Sequence, residues 1–399
     1  MPSVCLYFQV HQPIRIKDYT FFDIGENHQY FNDDLNEEVL NKVSDKCYLK
    51  ANAILLNSLK KLDGKFNLAF SFSGLVLEQL QKTRPDVIKS FQKLVDTGHV
   101  EILAETYYHS LSFAFSKTEF DRQVKMHSDK IWEIFKQKPS VFRNTELIYS
   151  NSLAKHVSDL GYQGILAEGS EKVIQEKSPN YLYLTTNVPE IKVLTKNYIL
   201  SDDVAFRFSD KGWSEYPMSA ARYANRIHRY SEEADVINLF MDYETFGEHQ
   251  WEETGIFNFL ESFPEKVLRH LDFDFKTPSE VISTYGAKDV YNCPFYSSWA
   301  DTERDISAWL GNSMQMDASK KLYDWESQVL NLNDPLLLEI WGKLQCSDHL
   351  YYMSTKGWND GAVHGYFSPF TSPYDAYLHF MNILSDLEMR ILNLQKSKV

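Results

Sequence analysis

The feature of this 399-residue sequence that most restricts its fold is an alternation of short apolar runs with amphipathic helical stretches, which continues to about residue 300. Apolar runs bounded by polar residues predict buried strands, and strands separated by helices predict parallel pairing. The predicted strands are Val4–Val10, Phe66–Phe72, Val100–Ala104, Val141–Arg143, Gly164–Ala167, Tyr198–Leu200 and Val236–Met241. We therefore predict an α/β fold with a parallel sheet or barrel.

After residue 300 the pattern becomes mostly helical. One predicted helix carries Leu322, Trp325 and Val329 on one face. A second begins at Asp334-Pro335, an N-cap followed by a first-turn proline, and a third runs through Phe380 to Ile391. We predict two domains, residues 1–300 and a helical domain of residues 301–399 that contributes to the active-site cleft. The glycine- and aromatic-rich segment 356–370 either reaches the mouth of that cleft or packs as a structural loop.

Charge and composition exclude several classes of protein. The net charge of −14 and the pI near 5.4 disfavour nucleic acids and anionic membrane surfaces. The sequence has neither a basic leader nor 18 uninterrupted apolar residues, so we expect a cytoplasmic protein that does not enter membranes. Its four cysteines show no CxxC spacing and are expected to be buried free thiols. The oligomeric state is not indicated.

Polar clusters follow four of the predicted strands directly. In a parallel barrel the carboxyl ends of the strands form one mouth, so these clusters are expected to converge there. The clusters contain His11 and Gln12 after the first strand, Glu105 and His109 after the third, Asn144 and Glu146 after the fourth, and Asp242 and Glu244 after the last.

Glu146 and Asp242 are candidates for a pair of catalytic carboxyl groups. Hydrolysis of a glycosidic bond uses one carboxyl to protonate the leaving oxygen and a second to attack the anomeric carbon or to activate water. Spacing alone does not rank this pair above the competing acids Glu101, Glu105 and Glu244. Arg143 could lower the pKa of a neighbouring carboxyl, orient a hydroxyl, or form a structural salt bridge.

The histidines His11, His99, His109 and His249 raise the question of a metal site. HExxH, HxH and HxxxH spacings are absent, and imidazoles beside carboxylates can also bind sugar hydroxyls. We therefore predict no metal. A GxSxG elbow and a phosphate-binding glycine loop are also absent, which disfavours serine-nucleophile and nucleotide-dependent chemistry.

Five stretches in order resemble glycoside hydrolase family 57, the second large α-amylase family. They are HQP at residues 11–13, GHVEILAETYYHSL from Gly98, FRNTELIYS from Phe142, MDYETFGEHQW from Met241 and SSWADTERDISAWLGN from Ser297. The resemblance implies an incomplete (β/α)7 barrel followed by a helical domain, with no metal or organic cofactor. It also implies that Glu146 is the nucleophile and Asp242 the general acid/base.

The resemblance also implies which residues line the sugar subsites, with Trp299 providing a stacking face. The set comprises His11, Gln12, His109, Phe246, His249, Trp299 and Asp301. Glu105 and Arg143 complete the predicted substrate-binding residues.

The function expected from this resemblance is that of a retaining α-amylase that cleaves α-1,4 bonds in maltooligosaccharides, starch or glycogen. The two carboxyls of a retaining site are expected to lie about 5–5.5 Å apart. A 4-α-glucanotransferase would use the same pair with a sugar as acceptor. Alternatives of another class are a metal-dependent carbohydrate deacetylase, which needs an Asp and two His, and a glucan-binding protein without activity.

Overall fold

The computed structural model of the protein describes residues 2–186, 188–356 and 368–397. The strands in these residues are β1 (Ser3–Val10), β2 (Leu68–Phe72), β3 (Val100–Ile102), β4 (Val141–Phe142), β5 (Gly164–Glu168), β6 (Leu182–Thr185), β7 (Val188–Lys196), β8 (Val236–Asp242), β9 (Asp274–Phe275) and β10 (Asp289–Tyr291).

Helices separate most of the strands, and further helices follow the last one. They are α1 (Asp33–Val43), α2 (Leu49–Leu62), α3 (Gly74–Thr83), α4 (Pro85–Val95), α5 (Ser112–Phe115), α6 (Lys117–Phe135), α7 (Asn151–Asp159), α8 (Glu171–Ile174), α9 (Tyr198–Ala205), α10 (Ala220–His228), α11 (Ile256–Val267), α12 (Pro278–Thr284), α13 (Ser307–Leu310), α14 (Ser313–Asp324), α15 (Glu326–Leu332), α16 (Pro335–Leu344), α17 (Ser347–Tyr351) and α18 (Pro373–Ser397).

Seven parallel strands follow one another around a ring. β1 pairs with β2 and β8, β2 with β3, β4 with β5, and β5 with β7, each in parallel. A parallel bridge between Ala104 and Phe142 joins the end of β3 to β4. The ring continues from β7 to β8 through a 2.9 Å hydrogen bond from the Asn197 amide to the Asn238 carbonyl. This arrangement confirms the predicted α/β class.

All eight residues of β1 are buried, which explains why its sequence is a nearly continuous apolar run. Leu6 and Phe8 pack in the hydrophobic cluster shared with the helices, whereas Cys5 and Tyr7 pack in a second cluster with residues of the other strands. A parallel strand covered on both faces needs apolar side chains on both faces.

One predicted strand, Tyr198–Leu200, is wrong. These residues begin helix α9, because the Asn197 side chain accepts a 3.0 Å hydrogen bond from the Leu200 amide and caps the helix. The strand lies just before it, as β7. Its charged residues Glu190 and Lys192 interrupt the apolar pattern.

The helices after residue 300 pack around one apolar cluster. The predicted start at Asp334-Pro335 is confirmed, with Asp334 accepting a 2.9 Å hydrogen bond from the Leu337 amide. The helix predicted through Leu322 and Val329 is divided into α14 and α15 at Trp325. Residues of the first 300, among them Tyr30, join the same cluster, and the division into two domains stays a prediction.

Two further expectations concern the four cysteines and the segment 356–370. The four cysteines are buried and free, as predicted. Most of the 356–370 segment, residues 357–367, lies outside the described residues. Among the described helices, none combines the length and the apolar character needed to cross a membrane.

Candidate active site

A group of acidic and basic side chains forms where the ring strands end. Glu105 follows β3, Glu146 follows β4, and Asp242 is the last residue of β8. His109 lies 3.0 Å from Glu146 and 3.9 Å from Glu105. The predicted convergence of strand-end residues is therefore present for Glu105, Glu146 and His109, and Asp242 is near enough for the charge of Glu146 to raise its pKa.

The backbone at Glu146 is held in an uncommon conformation. Glu146 lies in a 3₁₀ turn, Thr145–Leu147, with φ +57° and ψ +30°, and Leu147 also has a positive φ of +50°. Left-handed backbone at residues other than glycine costs about 1–3 kcal/mol and persists only where surrounding contacts hold it. Here the Trp299 amide donates a 3.3 Å hydrogen bond to the Glu146 carbonyl.

Both carboxylate oxygens of Glu146 accept hydrogen bonds. Nε2 of His109 lies 3.0 Å from Oε1, and Nε1 of Trp299 donates to Oε2 at 2.6 Å. The Glu146 side chain is nevertheless 24% exposed, whereas that of His109 is 1% exposed. The Glu146 carboxylate is thus held by two hydrogen bonds while part of its side chain stays accessible to solvent.

These contacts determine the charge of Glu146. Burial alone would raise its pKa, but the hydrogen bond and positive charge of His109, the charge of Arg143 and the Trp299 hydrogen bond together hold the pKa below its ordinary value. Glu146 is therefore ionised at neutral and mildly acidic pH.

His109 is held between two carboxylates. Burial opposes its positive charge, but the negative charges of Glu105 and Glu146, together with the hydrogen bond to Glu146, outweigh burial and raise the pKa of His109 to about 9. Glu105 also accepts hydrogen bonds from Gln9 and Ser71, at 3.2 and 2.9 Å. Against its burial, His109 and Arg143 lower the pKa of Glu105 to about 2. The three groups form a charged row of alternating sign.

Asp242 has the opposite electrostatic environment. Burial, and then the negative charge of Glu146, raise its pKa to about 6, although Arg143 and Lys196 partly offset both effects. The nearby Glu244 is pushed further, since burial and the charge of Asp242 raise its pKa to about 8. Between the pKa of Glu146 and that of Asp242, Glu146 is therefore ionised while Asp242 keeps its proton.

Trp299 is held by one carboxylate and two cations, and its predicted role as a stacking face stays a prediction. Its indole donates to Glu146, and its ring lies 5.1 Å from the Arg143 guanidinium and 5.3 Å from the Lys196 ammonium, within range of cation–π attraction. Arg143 is fully buried and 3.7 Å from Glu105, and its guanidinium nitrogens have no hydrogen-bond partner among the described residues. These cations lie against the ring of Trp299 and lower the pKa of Asp242.

Lys196 was not predicted as a site residue. It ends β7, the strand missed in the sequence, and its ammonium lies 3.0 Å from Asp202 and 3.7 Å from Glu168. Arg304 joins this network, 3.5 Å from Asp202, and donates to the Trp299 carbonyl. A correct assignment of β7 would have placed Lys196 at a strand end.

Gln12 lies beside Glu244, and its side-chain hydrogen bond acts to lower the pKa of that carboxyl. It also accepts a 3.4 Å hydrogen bond from Arg15. Phe246 has apolar surroundings. Phe246 is 2% exposed, and its ring packs edge-on against Phe8 with centroids 5.5 Å apart. Phe246 therefore belongs to the apolar core beside β1.

His249 and Asp301 lie farther along the predicted motifs. Burial lowers the pKa of His249 to about 4, which keeps the imidazole neutral, and its amide donates to the Glu244 carbonyl at 2.9 Å. Asp301 forms a 2.8 Å ion pair with Lys356 and is 6% exposed.

Glu101, one of the competing acids, has a different role. Its Oε2 accepts hydrogen bonds from the amide and hydroxyl of Ser279, at 2.9 and 3.0 Å, in the first turn of α12. This carboxylate stabilises a helix end and is separated from the Glu146 group.

Of the histidines considered as metal ligands, His99 contacts the Asn67 side chain at 3.0 Å. Within the described ranges, one group of three His, Cys, Asp or Glu side chains has its ligand atoms within 4.8 Å of one another: His11, Cys346 and Asp348. It contains one histidine, whereas the deacetylase alternative requires two.

Comparisons with known proteins match this architecture. The model of glycosyl hydrolase family 57 matches residues 5–294. The chain belongs to glycosyl hydrolase family 57. A Methanocaldococcus jannaschii protein named "Putative alpha-amylase" is 43% identical over 403 residues, which cover 97% of this chain and 84% of the relative. The family 57 chain is thus a glycoside hydrolase.

Solved structures of family 57 enzymes have the same fold. The branching enzyme of Thermococcus kodakaraensis superposes with a TM-score of 0.68 at 14% identity, covering 92% of this chain and 87% of that one. The 4-α-glucanotransferase of Thermococcus litoralis also gives a TM-score of 0.68, at 16% identity. The superposition covers 88% of this chain. The family 57 chain spans only 56% of the length of the glucanotransferase.

Proposed function

We propose that this chain cleaves α-1,4 bonds in glucans by a retaining mechanism, with Glu146 as nucleophile and Asp242 as general acid/base. The observation that carries the proposal is the opposite pKa shift of the two carboxyls, below the ordinary value for Glu146 and to about 6 for Asp242. A glycosidase with two carboxyl groups needs one ionised and one protonated before the first step, and the retaining course is the one that the resemblance to family 57 implies.

In the first step the Glu146 carboxylate attacks the anomeric carbon while Asp242 donates its proton to the departing glucosyl oxygen. Trp299 and His109, which contact the two oxygens of Glu146, orient the attacking carboxylate. As the ester forms, Glu146 loses its negative charge, and the pKa of Asp242 is expected to fall. That change prepares Asp242 to act next as a base.

In the second step Asp242 removes a proton from water, which attacks the glycosyl ester and releases Glu146. A sugar hydroxyl in place of water would make the chain a 4-α-glucanotransferase. We favour water because the relative at 43% identity carries an amylase name, whereas the transferase structure at 16% identity supports the fold alone.

Several predicted residues are proposed to contact sugar in the occupied cleft: His11, Gln12, His109, His249, Trp299 and Asp301. For Trp299 the proposed contact is an edge of the indole, since the Nε1 hydrogen bond to Glu146 fixes the ring. Phe246 is proposed to shape the core beneath Asp242 through its contact with Phe8.

Incubation with maltoheptaose tests hydrolysis against transfer. We expect products of six glucose units or fewer, resolved by chromatography and mass spectrometry, because water accepts the glycosyl group. Products longer than maltoheptaose would assign transferase activity instead. Heat-inactivated protein and a parallel incubation with β-linked cellooligosaccharides are the controls, and cleavage of the β-linked sugars would contradict the α-specificity.

The pH dependence follows from the two carboxyls. Activity is expected to decrease as pH rises through about 6, because Asp242 loses the proton it must donate. On the acid side, activity decreases as Glu146 becomes protonated. This occurs below the ordinary glutamate pKa of about 4.3, because the pKa of Glu146 is lowered. The measurement is kcat/KM across this range, with circular dichroism at each pH to exclude unfolding. An alkaline limb above about pH 8 would contradict the role of Asp242.

A further inference from the structure

The C-terminal helix α18 carries apolar side chains on two of its faces. One face is buried in the cluster shared by the helices after residue 300, through Ala376, Phe380, Ile383, Leu384, Leu387 and Ile391. This face accounts for the packing of α18 against the rest of the described chain. A helix at a protein surface needs one apolar face, so a second one needs a partner of its own.

The second face, called here the outer stripe, runs almost the whole length of α18. Its members follow one another at steps of three or four residues, which places them on one side of the helix. They are Tyr374, Leu378, Met381, Ser385, Met389 and Leu392. Within the described residues Tyr374, Leu378, Met389 and Leu392 are 64%, 56%, 45% and 41% exposed. Large apolar side chains grouped in this way mark an interaction surface.

The outer stripe has nearly the same spacing when it is read in either direction. Tyr374 and Leu392 lie nine residues before and after Ile383, and Leu378 and Met389 lie five residues before and six after it. A two-fold axis requires a surface that is complementary to itself. With the axis near Ile383, Tyr374 of one copy faces Leu392 of the other, and Leu378 faces Met389. We propose that the outer stripe is the interface of a homodimer in which two α18 helices pack antiparallel.

The charges at the two ends of α18 fit this arrangement. Asp375 lies in the first turn, and Asp317 of α14 is hydrogen-bonded to the same end of the helix. Lys396 lies in the last turn. Between the ends, Glu388 is already paired with Lys321, 3.4 Å away. Antiparallel packing brings the acidic end of each helix towards the basic end of the other, whereas parallel packing would bring like charges together.

The loop after β1 widens the apolar surface. Its Phe21 and Phe22 are 73% and 87% exposed. The Gly25 amide donates a 2.6 Å hydrogen bond to the buried Asp386 carboxylate, and a Cβ added at Gly25 would lie 3.5 Å from Cε of Met389. The loop is therefore fixed along one edge of the outer stripe, where its two phenylalanines extend the surface that a second copy can cover.

The exposed apolar area is sufficient for a stable dimer. A buried aromatic side chain contributes about 150–250 Å², so the exposed fractions of Phe21, Phe22 and Tyr374 correspond to roughly 340–560 Å² per copy. With the aliphatic members of the outer stripe, two copies would bury more than about 1,000 Å² in total, the area expected of a specific interface. This assembly does not depend on the proposed function.

Sedimentation velocity on the full-length protein tests the dimer. At about 10 µM, above the dissociation constants usual for specific interfaces, we expect twice the mass of one chain. The Tm is expected to rise with protein concentration, because association stabilises the folded chain. The mass of a single chain at this concentration would overturn the proposal.

Two leucine variants locate the interface. Leu378→Glu places a charge opposite Met389 of the other copy and is expected to raise the dissociation constant of the dimer by more than about 100-fold. Leu271→Glu changes a leucine that is 89% exposed in the loop before β9, and is expected to leave the dissociation constant unchanged. Both side chains are exposed, so both variants are expected to fold, which circular dichroism checks. Equal dissociation constants in the two variants would contradict the assignment.

Disulfide cross-linking distinguishes antiparallel from parallel packing. In the double variant Tyr374→Cys/Leu392→Cys, the two thiols of one chain are about 27 Å apart along the helix and cannot pair with each other. Antiparallel packing brings each of them beside the other thiol of the second copy. Oxidation is therefore expected to give a covalent dimer from the double variant but not from either single variant, with the four buried native cysteines unreacted. A covalent dimer from a single variant, or none from the double variant, would refute antiparallel packing.

Discussion

Replacing Glu146 by glutamine is expected to lower kcat on maltoheptaose by about 10⁴-fold or more, since loss of a nucleophile removes the covalent pathway. The amide has nearly the same shape and can still accept the hydrogen bond from Trp299, which is 2.6 Å from Oε2. A neutral amide oxygen is not an effective nucleophile. Initial rates from reducing-end release give kcat, and circular dichroism checks the fold.

Glu101→Gln is the matched control for this variant. The chemical change is identical, but the Glu101 carboxylate binds the first turn of α12 through Ser279. We expect its kcat to remain within a few-fold of the unmodified enzyme. In Glu146→Ala, added azide is expected to restore turnover of an α-glucosyl substrate with a good leaving group and to yield a β-glycosyl azide. Unchanged kcat in Glu146→Gln would refute the mechanism.

The second large effect is expected for Asp242→Asn. Asparagine cannot donate the proton, so cleavage of maltoheptaose should decrease by about 10²–10⁴-fold. A substrate whose leaving group needs no proton, such as α-maltosyl fluoride, should form the glycosyl-enzyme much faster than maltoheptaose in this variant. The decrease in rate above about pH 6 should also disappear, because the group that titrates there is absent.

Glu244→Gln is the control for the Asp242 variant. The pKa of about 8 means that Glu244 is already neutral at the expected optimum, so glutamine reproduces its charge. We expect an unchanged pH profile and kcat within a few-fold. If Glu244→Gln removed the alkaline limb and Asp242→Asn retained it, the acid/base role would belong to Glu244.

Sequence patterns predicted a strand best where both of its faces are buried. Val4–Val10 was predicted almost to its observed ends because both faces of β1 are buried and every position is selected for burial. β7 was missed because Glu190 and Lys192 break the apolar run. Tyr198–Leu200 looked like a strand because it is apolar, but the Asn197 cap decides its structure.

The candidate site could be predicted only in part. Strand ends located Glu146 and Asp242, since parallel strands bring their carboxyl ends to one mouth. The contacts that set their pKa values could not be read from local patterns. Trp299 reaches Glu146 across 153 residues, and Lys196 affects Asp242 from a strand that was not recognised. Such approaches depend on tertiary packing, which spacing does not encode.

The hydrogen bond from Trp299 to Glu146 also limits how this enzyme can be recombined with its relatives. The region matched by the family model ends at residue 294, yet the indole that contacts the carboxylate comes from beyond it. Farther along, the Ser347 amide donates to the His109 carbonyl at 3.0 Å. A chimera joined at residue 294 would take the residues at positions 299 and 347 from its donor. The contacts to Glu146 and His109 would then change with the segment that follows the matched region.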